Sequence, residues 1–134
     1  MAAFYCAHAE GSETHATANS SHSEGNSTTA SGSYSHAEGY GTVANGNTSH
    51  AEGSYSIALG QYQHVQGKWN IPDSTSKYAL IIGNGSDADH RSNAFAIDWQ
   101  GLIYVNNAAT GISVVDLLTE INSLKDRVSA LENA

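Results

Sequence analysis

The sequence predicts a mainly β protein: a parallel β-roll of fourteen-residue coils, a small β region and a C-terminal coiled-coil helix. Three observations predict this fold. A His-x-Glu-Gly motif returns every fourteen residues in the first half of the chain. Apolar residues form short runs of strand length between residues 78 and 105, and they follow a heptad spacing from residue 114 onward. The predicted divisions are therefore residues 1–67, 68–107 and 108–134.

The fourteen-residue motif occurs five times, and its last copy is degraded. Its histidines and the acidic or amide residues two positions later are His8, Glu10, His22, Glu24, His36, Glu38, His50, Glu52, His64 and Gln66. A strict period indicates stacked units that bury surface only against their neighbours. Fourteen residues are too few for a helical hairpin, but they suit one solenoid coil with two short strands and two turns. We therefore expect one coil per repeat.

Strand alternation assigns the side chains of each coil to the inside or the outside. The small residues expected to fill the narrow interior of the third coil are Ser35, Ala37, Gly39, Thr42, Ala44 and Gly46. The intervening His36 and Glu38 must then point outward. The motif's two ionisable residues are thus expected on the coil surface.

Composition limits both the fold and the partners. Residues 1–67 contain few residues of the Leu, Ile, Val and Phe class, namely Phe4, Val43, Ile57, Leu59 and Val65. Such a segment cannot build a monomeric core, so we expect it to be stabilised by partner chains. The net charge is −8, and residues 1–67 hold five Glu and no Lys or Arg. Nucleic acid and anionic membranes are therefore poor partners, and no segment is long and apolar enough for membrane insertion.

The repeats resemble the YadA-like head of trimeric autotransporter adhesins, whose repeats read approximately Asn-Ser-Val-Ala-Ile-Gly. Residues 56–60, Ser-Ile-Ala-Leu-Gly, come closest to that pattern, whereas residues 48–53 have His and Glu at the two aliphatic positions. The resemblance implies a left-handed parallel β-roll in which three chains lie side by side. It also implies that the aliphatic positions, here occupied by the ten motif residues, face the sister chains.

On such a trimer the His and Glu side chains would form stacked layers near the axis. A Glu can accept a hydrogen bond from an imidazole of its own or an adjacent chain, which satisfies both groups. We therefore predict a structural polar network at the trimer interface and assign no metal and no cofactor. The alternative is metal or anion binding, because three converging imidazoles provide ligands that Zn²⁺ or Ni²⁺ prefers.

Residues 68–107 are expected to form three strands, at 78–82, 94–99 and 102–105, the last two as a hairpin around Gln100-Gly101. The run from Arg91 to Gly101 resembles segments of phage and prophage tail-fibre proteins. Residues 79–88 imitate a strand followed by a GxGxxA motif, but no helical pattern follows, so we expect no dinucleotide site. The repeats also lack a recurring nucleophile, and we expect no enzyme.

The C-terminal segment has the apolar spacing of a coiled coil. Its predicted core residues are Val114, Leu117, Ile121, Leu124, Val128 and Leu131. The core identities alone favour a dimer. The run from Arg127 to Glu132, however, resembles the Arg-apolar-x-x-apolar-Glu trimerisation motif, in which the Arg pairs with the Glu of a neighbouring helix. Together with the head resemblance, this motif predicts a homotrimer.

Surface aromatic residues are the candidates for recognition. Tyr34 and Tyr62 share one repeat position, and Tyr40 and Tyr55 are expected at turns that project from the roll. The predicted function is a non-enzymatic fibre segment of a phage or prophage tail, part of the virion, that binds a glycan or protein receptor on the bacterial surface. The alternatives are a fragment of an adhesin on the bacterial cell surface and a metal-binding or pH-sensing stalk.

Overall fold

The computed structural model describes the backbone of residues 4–105 and 112–134, and the side chains of residues 4–105 and 115–134. The elements in these ranges are β1 (His8–Ser12), β2 (His15–Ala16), β3 (His22–Asn26), β4 (Thr29–Ala30), β5 (His36–Tyr40), β6 (Val43–Ala44), β7 (His50–Ala51), β8 (Ile57–Ala58), β9 (His64–Lys68), β10 (Tyr78–Asn84), β11 (Asn93–Asp98), β12 (Ile103–Val105), β13 (Ile112–Ser113) and α1 (Val114–Glu132).

The repeats form a β-solenoid, as predicted. The first strands of the coils form the longer sheet, in the order β1-β3-β5-β7-β9-β10-β11-β12-β13, and the second strands form the shorter sheet β2-β4-β6-β8. Neighbouring repeat strands are parallel, and the register places each residue beside its equivalent fourteen positions away, for example His22 beside His36 and Glu24 beside Glu38. The sequence period is therefore the coil length.

The interior of the solenoid is built from small side chains. The alanines that line it are fully buried: Ala16, Ala30, Ala37, Ala44, Ala51 and Ala58. Buried hydroxyls bond within the coil, as when Thr42 Oγ1 donates to the backbone oxygen of Glu38 at 3.0 Å. An interior filled mainly by Ala, Ser and Thr supplies little hydrophobic burial, so inter-coil backbone hydrogen bonds hold the coils together.

The expected position of Gly39 in this interior is wrong, because Gly39 is exposed. Its φ of +104° departs from the extended conformation although β5 continues to Tyr40, so the alternation of inside and outside ends one residue before Gly39. A Cβ at Gly39 would lie 2.2 Å from the backbone oxygen of Gly53 in the next coil. The motif glycine therefore allows close backbone stacking rather than filling the core.

The corners of the coils recur every seven residues and have positive φ. Ser27 (+55°), Tyr34 (+60°), Gly41 (+64°), Thr48 (+57°) and Tyr55 (+54°) follow this spacing. Side chains at such corners project from the roll or lie over the neighbouring corner. Bulky residues there are unusual, because the left-handed region is costly for side chains with a Cβ.

Strand β10 continues the solenoid sheet instead of starting a new one. It pairs in parallel with β9, with Leu80 beside His64 and Ile82 beside Gln66. Strands β11 and β12 then add antiparallel neighbours, which confirms the three predicted strands and the final hairpin. The predicted domain boundary after residue 67 falls within β9, and the sheet continues across it from β9 to β10. The boundary therefore stays a prediction. The division after residue 107 lies outside the described residues.

Side-chain amides cover the end of the shorter sheet. Asn70 Oδ1 accepts a hydrogen bond from the Ile57 N–H at 2.7 Å, and Asn70 Nδ2 donates to the Ile57 oxygen at 3.0 Å. Asn70 thereby replaces the missing neighbour of β8. Gln63 has a similar role nearby, because its Nε2 donates to Asp73 Oδ2 and to the Tyr78 oxygen.

The C-terminal helix exposes its predicted seam. The described side chains of that seam are all exposed in the single chain, namely Leu117, Ile121, Leu124, Val128 and Leu131. The side chain of Val114 lies outside the described residues. Within the described ranges, the chain has no helix with the length and apolarity required to cross a bilayer.

Candidate functional site

A ladder of stacked imidazoles runs along the outer face of the longer sheet. It consists of His8, His22, His36, His50 and His64, with successive ring centroids 4.9, 4.6, 4.7 and 4.7 Å apart. These distances match the spacing of paired strands. The histidine ladder is therefore a direct consequence of the coil register, and the predicted outward direction of the motif side chains is confirmed.

The glutamates of the motif pair with histidines one coil further along the chain. Glu38 Oε1 lies 3.0 Å from His50 Nε2, and the equivalent Glu52–His64 distance is also 3.0 Å. At the first coil, by contrast, His8 Nε2 lies 3.9 Å from Glu10 Oε2 of the same coil. Part of the predicted polar network is thus formed within one chain.

The ladder also contains buried polar atoms that one chain leaves unsatisfied. Among the described residues, Nε2 of His22 and of His36 has no hydrogen-bond partner. Glu24 Oε1 lies 3.3 Å from His36 Nε2, but off the line of a hydrogen bond. Buried polar atoms are almost always partnered in folded proteins, so these two nitrogens are an exception within the ladder.

The outer face becomes apolar beyond the histidine ladder. Leu80 and Ile82 occupy the positions that follow His64 and Gln66 across the sheet. On β11, Ile97 pairs with Leu80 and Phe95 pairs with Ile82. On β12, Ile103 and Val105 continue the same partly exposed surface. One face of the longer sheet therefore changes from His and Glu to aliphatic and aromatic residues.

Two of the four predicted receptor tyrosines belong to an aromatic stack. The Tyr55 ring lies over Gly41 and stacks on the Trp69 ring, with ring centroids 4.0 Å apart. The rings of Tyr40 and Tyr55 are nearly perpendicular, with centroids 5.0 Å apart. The hydrogen bond with Tyr40 raises the pKa of Tyr55. Arg91 covers Trp69 at 4.8 Å. Tyr55 is therefore half-buried and does not project from the roll as expected, because Gly41 leaves room for its ring.

Tyr34 and Tyr62 lie at equivalent corners two coils apart, as predicted, and both are largely exposed. Tyr62 meets Trp99 edge-on, with ring centroids 6.5 Å apart, and half of the Trp99 side chain is exposed. This Tyr62–Trp99 pair joins a repeat coil to the β11–β12 turn. It offers two aromatic surfaces to a ligand.

At the end of the solenoid, the carboxylate of Asp73 accepts several hydrogen bonds. Burial of Asp73 acts to raise its pKa, but hydrogen bonds from the Thr75 hydroxyl and from the backbone N–H groups of Thr75 and Tyr78 outweigh this effect. The pKa of Asp73 is therefore lowered. Asp73 holds the loop that leads into β10.

The sequence did not predict a role for three of these residues, Trp69, Asn70 and Trp99. Trp69 and Asn70 stand fourteen positions after Tyr55 and Ser56, so extension of the repeat by one coil would have identified their places. No comparable signal marks Trp99. Its approach to Tyr62 depends on long-range pairing of β11, which the local pattern does not reveal.

Comparison with known proteins identifies the repeats. Residues 37–62 match the family model of the YadA head domain repeat, in two copies. No curated protein matches the chain. No solved structure matches it either. The matched segment covers the coils that carry Val43, Ile57 and Leu59, and neighbouring coils share its register. Residues 37–62 are therefore YadA-like head repeats.

Proposed function

We propose that this chain is a segment of a homotrimeric attachment fibre that acts by binding and not by catalysis. The observation that carries the proposal is the uncovered outer face of the longer sheet. The His and Glu side chains of its histidine ladder are partly exposed, and its Leu80–Val105 end is apolar and partly exposed. A face of this kind requires a neighbouring chain.

The helix supports the same assembly. Its exposed seam needs a partner, because most of a helix's stability in a protein comes from packing of its apolar face. The ion pairs among the described residues do not include Arg127 or Glu132, and we propose that these two residues pair between neighbouring helices. The three-chain state is favoured over two by this pair and by the YadA-like repeats, since the adhesins with such heads are trimeric. The proposed organisation is a head at residues 1–67, a neck at 68–107 and a coiled coil at 108–134.

The proposed setting is the tail of a phage or prophage, where the fibre would attach the virion to a bacterial surface glycan or protein. The tail-fibre-like run from Arg91 to Gly101 supports this setting. The second candidate is an adhesin on the bacterial cell surface, which the YadA head repeats at residues 37–62 favour. In either setting three identical surfaces on one rod would turn weak contacts into avidity.

The aromatic corners are the proposed receptor contacts. Tyr62 and Trp99 are the strongest pair, and Tyr34 and Tyr40 extend the exposed aromatic surface. The partly buried Tyr55 would contribute through the stack that positions Tyr40. Exposed aromatic residues on a rigid scaffold are suited to stacking on sugars and to filling protein hot spots.

Binding of the labelled protein to a panel of intact bacteria, to collagen and to animal cells tests the function. We expect strain-selective binding to bacteria, lost in a Tyr62→Ala/Trp99→Ala variant and retained in Tyr5→Ala, which removes an exposed aromatic at the other end of the solenoid. Binding to collagen or animal cells would favour the cell-surface adhesin. Absence of binding to any of these surfaces would contradict an attachment role for this segment.

A further inference from the structure

The histidine ladder contains a set of groups that suits a transition metal. His22, Glu24 and His36 offer two imidazole nitrogens and one carboxylate oxygen, all within 4.8 Å of one another. The rings of His22 and His36 are parallel within 2°. Two histidines and one glutamate form a known ligand set for Zn²⁺, with the fourth position left for water or another ligand.

The unsatisfied histidine nitrogens favour a bound ion over a simple polar network at this coil. The Nε2 atoms of both histidines are buried and lack hydrogen-bond partners among the described residues. In addition, His36 Nε2 and Glu24 Oε1 are 3.3 Å apart without hydrogen-bond alignment. Two ligands of a tetrahedral zinc ion lie about 3.4 Å apart, so this pair has the separation that a shared ion requires.

The next group along the ladder is less suited to an ion. His36, Glu38 and His50 are also close together, but Glu38 already accepts a hydrogen bond from His50 at 3.0 Å. The two groups share His36, whose single Nε2 can bind only one ion. The structure therefore favours one site per chain, at the earlier coil.

The surrounding charge favours a cation. Residues 1–67 contain five Glu and no Lys or Arg, so no basic side chain of this segment competes for the site. The nitrogen ligands select against Ca²⁺ and Mg²⁺, which prefer oxygen donors. We propose that His22, Glu24 and His36 bind a divalent transition-metal ion of the Zn²⁺ or Ni²⁺ class.

Equilibrium dialysis of the chelator-treated full chain against Zn²⁺, with excess Mg²⁺ present, tests the site. We expect zinc to be retained by the wild type, at up to one ion per chain. Loss of one outer-shell partner typically weakens metal affinity about 10–100-fold, so loss of a direct ligand in Glu24→Gln or His36→Asn is expected to cost at least about tenfold.

Two control variants separate this site from general chelation by surface histidines. Glu52→Gln removes the carboxylate at the same motif position two coils away, and His15→Asn removes an exposed histidine outside the ladder. Both are expected to bind zinc as the wild type does. Circular dichroism and particle mass establish that each variant is folded and assembled. The proposal is overturned if the wild type retains no zinc, or if Glu24→Gln and Glu52→Gln bind it equally.

Discussion

At the scale of single residues, close backbone stacking sets the strictest requirements. The motif glycines Gly11, Gly25, Gly39, Gly53 and Gly67 all have φ near +100°, and a Cβ at any of them would collide with the backbone of the following coil. Glycine is the residue that meets both conditions without strain. The constant fourteen-residue spacing of the motif glycines thus reflects close backbone contact between coils.

Gly39→Ala is expected to destabilise the fold by about 3 kcal/mol, because it combines backbone strain with a steric clash. Gly101→Ala is the matched control, since Gly101 has φ +83° but no atom within 4 Å of its Cβ position. It is expected to cost only about 1 kcal/mol. Thermal unfolding at one fixed protein concentration compares the stabilities of the two variants. Equal losses of stability would contradict a role for inter-coil contact at Gly39.

Asp73→Asn is expected to destabilise the protein at neutral pH by about 1–3 kcal/mol, because an amide nitrogen cannot accept the hydrogen bonds that both carboxylate oxygens receive. The wild-type pKa is lowered, so the stabilisation by Asp73 is present above the unfolded pKa near 4 and is lost as pH falls through the folded pKa. Melting temperatures from pH 7 to pH 3 check this. The gap between wild type and variant should narrow in acid, and a constant gap would show that the charge is not responsible.

At the scale of elements, the coil is an interchangeable unit. Each coil pairs with its neighbours in the same register, so removal of fourteen residues places equivalent side chains together again. The ends behave differently, because Asn70 and Gln63 close the solenoid with side-chain hydrogen bonds that no earlier coil makes.

Deletion of residues 36–49 is expected to leave a folded solenoid with a slightly lower melting temperature, because His50 then occupies the place of His36. Deletion of residues 36–42 is the control. It removes half a coil, so each strand after the deletion would have to pair in the other of the two sheets. Far-ultraviolet circular dichroism and thermal unfolding distinguish the two outcomes. A folded seven-residue deletion would contradict the assignment of distinct roles to the two strands of a coil.

The elements also show what the sequence can predict. The fourteen-residue period correctly predicts the coils, the paired strands and the outward His and Glu, because a solenoid translates sequence spacing directly into neighbours. It fails for Gly39 and Tyr55, where positive φ and the space over Gly41 decide the side-chain position. It also misses Trp99, because the pairing of β11 with β10 depends on contacts distant in sequence.

At the scale of the whole molecule, three surfaces of the single chain remain without cover. The histidine ladder exposes part of its His and Glu side chains, the sheet beyond it is apolar, and helix α1 exposes its seam. One assembly of parallel chains would cover all of them together. The solenoid interior contributes little hydrophobic burial of its own, so assembly would supply much of the stability.

Light scattering on the purified full chain tests this assembly most directly. We expect a particle of about 42 kDa, three times the 14.0 kDa chain mass. We also expect that an Ile121→Asp/Leu124→Asp variant, with charges on the helix seam, will shift the particle mass toward that of one chain. A stable wild-type particle of 14 kDa would contradict a trimer, because the apolar sheet face and the helix seam would then remain exposed to water.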